Sequence, residues 1–128
     1  MIHGVGTDIV TIARIERMLG DHGERTAEKL LAPAEMERYR EAARPAAYLA
    51  KRFAAKEALG KALGLGLRDP ATLHNIAVVS DGIGRPGFAY APPLADWLQA
   101  RRLRAHLSLS DESDTALAFV VVEQEGPA

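Results

Sequence analysis

The segment from Arg52 to Gly64, RFAAKEALGKALG, reads as an Ala-rich helix that confines its charge to one stripe. At about 100° per residue, Phe53, Lys56, Glu57, Gly60, Lys61 and Gly64 fall in one arc, and Ala54, Ala55, Ala58, Leu59, Ala62 and Leu63 fill the other. A helix apolar on its far side is a packed one, so the charged stripe faces a cleft, a partner or water. Two glycines in that stripe each cost about 1 kcal/mol of helix stability relative to alanine. A glycine beside a carboxylate and an ammonium would let a bulky anion approach the helix surface. Glu57 and Lys61 also stand at i,i+4 in the favourable order, so the second reading is an ordinary surface pair contributing about 0.2–0.5 kcal/mol.

Near the N-terminus, Ile2 to Val10 reads as a buried strand with a lone acid, Asp8, among apolar residues. A desolvated carboxylate needs a metal, a cation or hydrogen bonds, which makes Asp8 a metal-ligand candidate. The alternative is an acid capping the helix that begins near Thr11. Gly4-Val5-Gly6 lacks the third glycine of a dinucleotide fingerprint, because position 9 is Ile, and no Walker-type run is present. Any phosphate binding is therefore of another kind.

Together, GVGTDIVTIARIE, RFAAKEALGKALGLG about forty residues on, and the closing Ser108-Leu109-Ser110-Asp111-Glu112 before a hydrophobic strand resemble the small bacterial phosphopantetheinyl transferases, the holo-acyl-carrier-protein synthase family. Order and spacing agree across nearly the whole chain. The resemblance implies transfer of phosphopantetheine from coenzyme A to a serine of apo acyl carrier protein, with release of adenosine bisphosphate. It implies Asp8 and Glu57 as ligands of Mg²⁺, which typically takes one or two carboxylates plus phosphates and waters. Lys61 would meet charge developing on the phosphate oxygens, and Arg52, Lys56 and Gly64 would lie against the coenzyme. Glu57 has a second possible role as general base, directly or through water. Arg85 and Pro86 resemble the family's segment near the adenine end of the coenzyme, or simply form a hairpin turn.

Acyl carrier proteins are acidic, and Arg14, Arg17 and Arg25 make a basic surface on the first two helices. Resemblance to the family's docking helix singles out Arg14. The family also forms homotrimers with active sites between subunits. One departure stands out: many members have His where this chain has Asp111, and Asp is favoured in tight turns anyway. His106 is expected to be structural, and the four histidines show no zinc-ligand spacing.

At 128 residues, 48% hydrophobic and 26% charged, the chain is expected to be one soluble globular domain. It has no apolar run long enough for a membrane span. It has no cysteine, and its first residues lack signal-peptide character, so a cytoplasmic location is expected. Twelve of the sixteen Lys and Arg lie between Arg14 and Arg68, and none follows Ala105, which argues against a basic tail that binds nucleic acid.

Along the chain, one helix is expected from Thr11 to Leu19-Gly20, another over Arg25 to Leu31, and a third opening at Pro33 with Glu35 and Glu37 in its first turn. Pro45 opens the long helix. Strands Asn75–Ser80 and Phe88–Ala91 form a hairpin, a helix follows Pro92-Pro93, and a second hairpin joins Ala105–Ser110 to Ala116–Glu123 around Asp111. The order β-ααα-ββ-α-ββ predicts an α+β domain whose antiparallel sheet packs against the long helix, the phosphopantetheinyl transferase fold. Two other function classes compete: a Mg²⁺-dependent coenzyme A or nucleotide hydrolase with water as nucleophile, and a non-catalytic trimeric binding module.

Overall fold

The computed structural model describes residues 1–126. Strand β1 (Ile2–Thr11) is followed by helices α1 (Ile12–His22), α2 (Glu24–Leu30), α3 (Met36–Arg40) and α4 (Pro45–Leu63). A hairpin of β2 (Ile76–Ser80) and β3 (Pro86–Tyr90) comes next, then α5 (Pro92–Ala100), β4 (Leu103–Asp111) and β5 (Thr115–Gln124). The α+β class with antiparallel pairing holds, with two departures in detail. Four helices separate β1 from β2, at the four places expected along the chain and one more than the order β-ααα-ββ-α-ββ counts, and the one expected to open at Pro33 starts as a 3₁₀ turn. The strands form two sheets, β1-β5-β4 and β2-β3, rather than one.

Strand β1 alternates: Gly4, Gly6, Asp8 and Val10 point inward while His3, Val5, Thr7 and Ile9 point out. Its partner β5 alternates in step, burying Ala116, Ala118, Val120 and Val122. Helix α4 lies across this inner face and is buried on nearly every side, with Leu49, Ala54, Ala55, Ala58 and Leu59 fully enclosed. Proline at its first turn suits a position where no N–H is needed. At its other end Gly64 takes the left-handed conformation (φ 79°), and the chain folds back so that the N–H groups of Leu65 and Gly66 both donate to the Gly60 carbonyl at 3.0 Å. Helix α1 runs through Gly20 to His22, and Gly23 (φ 59°) rather than Gly20 takes the turn out of it.

Candidate active site

Two glycines bring β1 onto α4. A Cβ on Gly4 would collide with the Ala62 carbonyl, and one on Gly6 with the carbonyl of Ala58. The fragment that mimics a nucleotide fingerprint is thus a seat for a helix, matched by alanines on the facing side. This close approach carries the next inward residue, Asp8, to the flank of α4. There Lys61 Nζ donates to Asp8 Oδ1 at 3.3 Å and to the Thr7 carbonyl at 2.9 Å. Asp8 is a mid-strand residue paired with Ala118, and Thr11, the residue preceding α1, makes no side-chain cap, so the capping alternative for Asp8 falls away.

Glu57 sits one turn before Lys61 on α4. Burial, and then the Asp8 carboxylate, push its carboxyl above the ordinary range; Lys61 and Arg14 pull it back in part. Arg14, exposed on α1, reaches over the Phe53 ring at 5.5 Å on the same flank. Glu57 and Lys61 are therefore more than a solvated pair: with Asp8 and Arg14 they form a cluster contributed by three elements. Two neighbouring carboxylates suit a hard divalent cation, and they are the donor set that Mg²⁺ uses alongside phosphates and water. Among the described residues no group of three or more His, Cys, Asp or Glu could hold a metal, so further ligands would come from substrate or solvent.

The single charged arc of α4 resolves into two rows. Phe53, Glu57 and Lys61 face β1 and α1, whereas Arg52 and Lys56 face the opposite flank. Lys56 is fully buried, and its Nζ donates to Glu35 Oε1 (2.6 Å), the Leu30 carbonyl (2.9 Å) and the Leu73 carbonyl (3.0 Å). All three ammonium hydrogens are satisfied, so the expectation that Lys56 holds a coenzyme phosphate is corrected. Gly60 is likewise no ligand-facing gap, since its bare surface accommodates the backbone of Gly66. Gly64 ends the helix, which accounts for it without a coenzyme contact.

Glu35, read from sequence as a first-turn acid, is buried instead and receives the Ala32 N–H (2.8 Å) and the Val78 N–H (2.9 Å) as well as Lys56. This hub ties α2, α4 and β2 together. Burial lowers the Lys56 pKa and Glu35 opposes that shift.

On the Arg52 side lies a cavity of about 640 Å³ whose lining includes Arg38, Tyr48, Lys51, Arg52, Pro86 and Asp111. The Arg52 guanidinium lies 3.6 Å from the centre of the Tyr48 ring, and its buried Nε has no hydrogen-bond partner among the described residues. The nearest carboxylate oxygen, Glu35 Oε2, is 3.7 Å away. A cation so held is preorganised for an anion. Pro86 lines the cavity, and Arg85 stands exposed beside it. Asp81 builds the adjoining turn by accepting the N–H groups of Ile83 and Arg85, each at 2.9 Å. The segment is a hairpin turn, and Pro86 sets it at the cavity edge.

Asp111 is the last residue of β4 and lies 3.7 Å from Lys51, so it serves a cavity-lining ion pair and not a tight turn. Sequence reasoning missed Lys51, Arg38 and Tyr48; the one available signal was Tyr48 and Arg52 at i,i+4. His106 pairs with Glu123 at 2.7 Å on the outer face of the sheet. Asp8, Glu57 and Lys61 do not line the cavity.

Comparison with known proteins places the whole chain. The model of the 4'-phosphopantetheinyl transferase superfamily matches residues 4–120, and the chain belongs to that family. The holo-[acyl-carrier-protein] synthase of Azoarcus sp. (strain BH72) is 58% identical over 123 residues, covering 96% of this chain and 98% of that protein. The crystal structure of the Neisseria meningitidis holo-[acyl-carrier-protein] synthase superposes with a TM-score of 0.94 at 47% identity, covering 97% of this chain and 100% of that one. The Bacillus anthracis holo-(acyl-carrier-protein) synthase, solved in complex with CoA (3',5'-ADP), gives a TM-score of 0.82 at 32% identity over 98% of this chain and 99% of that one. Likeness of this extent makes the chain an enzyme of the holo-[acyl-carrier-protein] synthase type.

Proposed function

We propose that this enzyme transfers the 4'-phosphopantetheine group of coenzyme A to a serine hydroxyl of apo acyl carrier protein, in a Mg²⁺-dependent reaction that releases adenosine 3',5'-bisphosphate. The observation that carries the reading is the meeting of Asp8, Glu57 and Lys61 where β1 crosses α4. Asp8 and Glu57 would hold the Mg²⁺, whose chemistry is to neutralise charge on the diphosphate and its leaving oxygen. The serine oxygen attacks the phosphorus that bears the pantetheine arm, and the bond from that phosphorus to the bridging oxygen breaks. Lys61, more exposed than Asp8, can turn toward the phosphoryl oxygens as their charge grows. Glu57, with its raised proton affinity, is the chain's candidate for taking the serine proton.

Arg52 and Arg85, with Pro86, would hold the nucleotide part of the coenzyme at the cavity. Arg14 is exposed near Glu57 and Phe53, where an acidic carrier protein could dock with its serine close to the carboxylates. A homotrimer would complete the site by setting the carboxylate cluster of one subunit opposite the cavity of the next. Its support is the outer face of the β1-β5-β4 sheet, where Val5 (53%), Ile9 (65%), Leu117 (40%) and Phe119 (42%) stand exposed together.

The test is to incubate apo acyl carrier protein with the enzyme, coenzyme A and Mg²⁺, following the carrier by intact mass and the nucleotide by chromatography. Gain of one phosphopantetheine arm per carrier, matched mole for mole by adenosine 3',5'-bisphosphate, is expected. Coenzyme A consumed without carrier would instead indicate a hydrolase, and coenzyme A bound but unchanged a binding module.

A further inference from the structure

Lys61 occupies the position that a metal ligand's cation should fill. Its ammonium lies 3.3 Å from Asp8 Oδ1 and is steadied by the Thr7 carbonyl, on the same strand, at 2.9 Å. The Asp8 side chain is only 19% exposed, whereas that of Lys61 is 53% exposed and can swing outward. A dication arriving at Asp8 therefore meets a resident positive charge within a few ångströms, and like charges at that range repel appreciably even in a watery setting. Among the described residues Asp8 is the one carboxylate in salt-bridge range of the ammonium.

We infer that Lys61 is a built-in counter-ion that competes with divalent metal at Asp8 until an anionic phosphate group takes the ammonium over, so that metal binds more tightly with or after the coenzyme than before it. This rests on the reading that Asp8 and Glu57 hold the metal. It gives Lys61 a role before the chemistry, in setting the order of binding. Because coupling between two ligands is reciprocal, the coenzyme then also binds more tightly when the metal is present.

The experiment measures free Mn²⁺ by electron paramagnetic resonance in titrations of the intact protein without coenzyme, for wild type, Lys61→Met and Lys61→Arg. Removing the charge should tighten Mn²⁺ binding about twofold to fivefold, the range that an exposed ion pair supports. Lys61→Arg, which keeps the charge, should match wild type. Unchanged or weaker binding in Lys61→Met, or equal tightening in Lys61→Arg, would overturn the inference. A parallel titration of Glu57→Gln in the presence of coenzyme A separates the two levels. If that variant binds Mn²⁺ as wild type does, the metal site itself is wrong and the inference falls with it. If it binds weakly, the site stands and the Lys61 result alone decides.

Discussion

Gly6 of β1 lies against the carbonyl of Ala58 in α4 so closely that no Cβ fits between them. The contact sets the distance between the strand carrying Asp8 and the helix carrying Glu57 and Lys61. Backbone faces backbone here, so neither side can rotate away as a side chain would. Gly6→Ala is expected to cost about 1–3 kcal/mol of stability. It should also slow transfer in whatever fraction stays folded, because the metal-facing carboxylates move apart. Urea unfolding and turnover measured on the same preparation check both effects.

Lys56 and Glu35 form a buried pair with every polar hydrogen of the ammonium in use. Removing one partner leaves the other charge buried alone, so Lys56→Met and Glu35→Gln should each cost about 3–5 kcal/mol. The double variant should recover a large part of that loss. If Lys56→Met instead raised the KM for coenzyme A while stability stayed intact, Lys56 would be a phosphate ligand after all.

Glu57 pays an electrostatic penalty in the folded state, since its carboxyl is pushed up chiefly by burial and then by Asp8. A carboxyl whose folded pKa exceeds its unfolded value destabilises the fold above the folded pKa, and the penalty vanishes below the unfolded one. Glu57→Gln should accordingly raise the melting temperature at neutral pH and leave it unchanged at pH values below the ordinary carboxylate range, while transfer is lost. For wild type, transfer should fall on acidification at a pH above that range, as Glu57 takes up a proton.

The Arg52 guanidinium lies 3.6 Å from the centre of the Tyr48 ring, and its buried Nε has no hydrogen-bond partner among the described residues. Lysine would keep the charge but lose the planar stack and the fork of donors. Arg52→Lys should raise the KM for coenzyme A about tenfold, equivalent to about 1.4 kcal/mol of binding, with a smaller effect on kcat. Steady-state kinetics at saturating carrier protein separate the two parameters.

The order of elements, the long packed helix and three residues that the fold brings into one cluster (Asp8, Glu57, Lys61) were legible because each leaves a local mark: a lone acid in an apolar strand, or charges at helical spacing. Lys56 was misread for a physical reason. On a helical wheel a charge buried against a distant carboxylate looks the same as one facing a ligand, and the partner, Glu35, lies 21 residues earlier in an unremarkable turn. Gly4 and Gly6 looked like a broken nucleotide motif because strand-on-helix contact has no sequence signature of its own. The cavity was hidden for a related reason: Arg38, Lys51 and Asp111 come from α3, α4 and β4, and only the tertiary fold brings them together.

The most direct test is single-turnover transfer to apo acyl carrier protein as Mg²⁺ is titrated, comparing wild type with Asp8→Asn, Glu57→Gln and Arg17→Gln, the last an exposed basic residue on α1. The account predicts that the two carboxylate variants need far more Mg²⁺ and stay slow at saturation, while Arg17→Gln keeps the wild-type metal requirement. Carboxylate variants that transfer at the wild-type rate with an unchanged Mg²⁺ midpoint would contradict it.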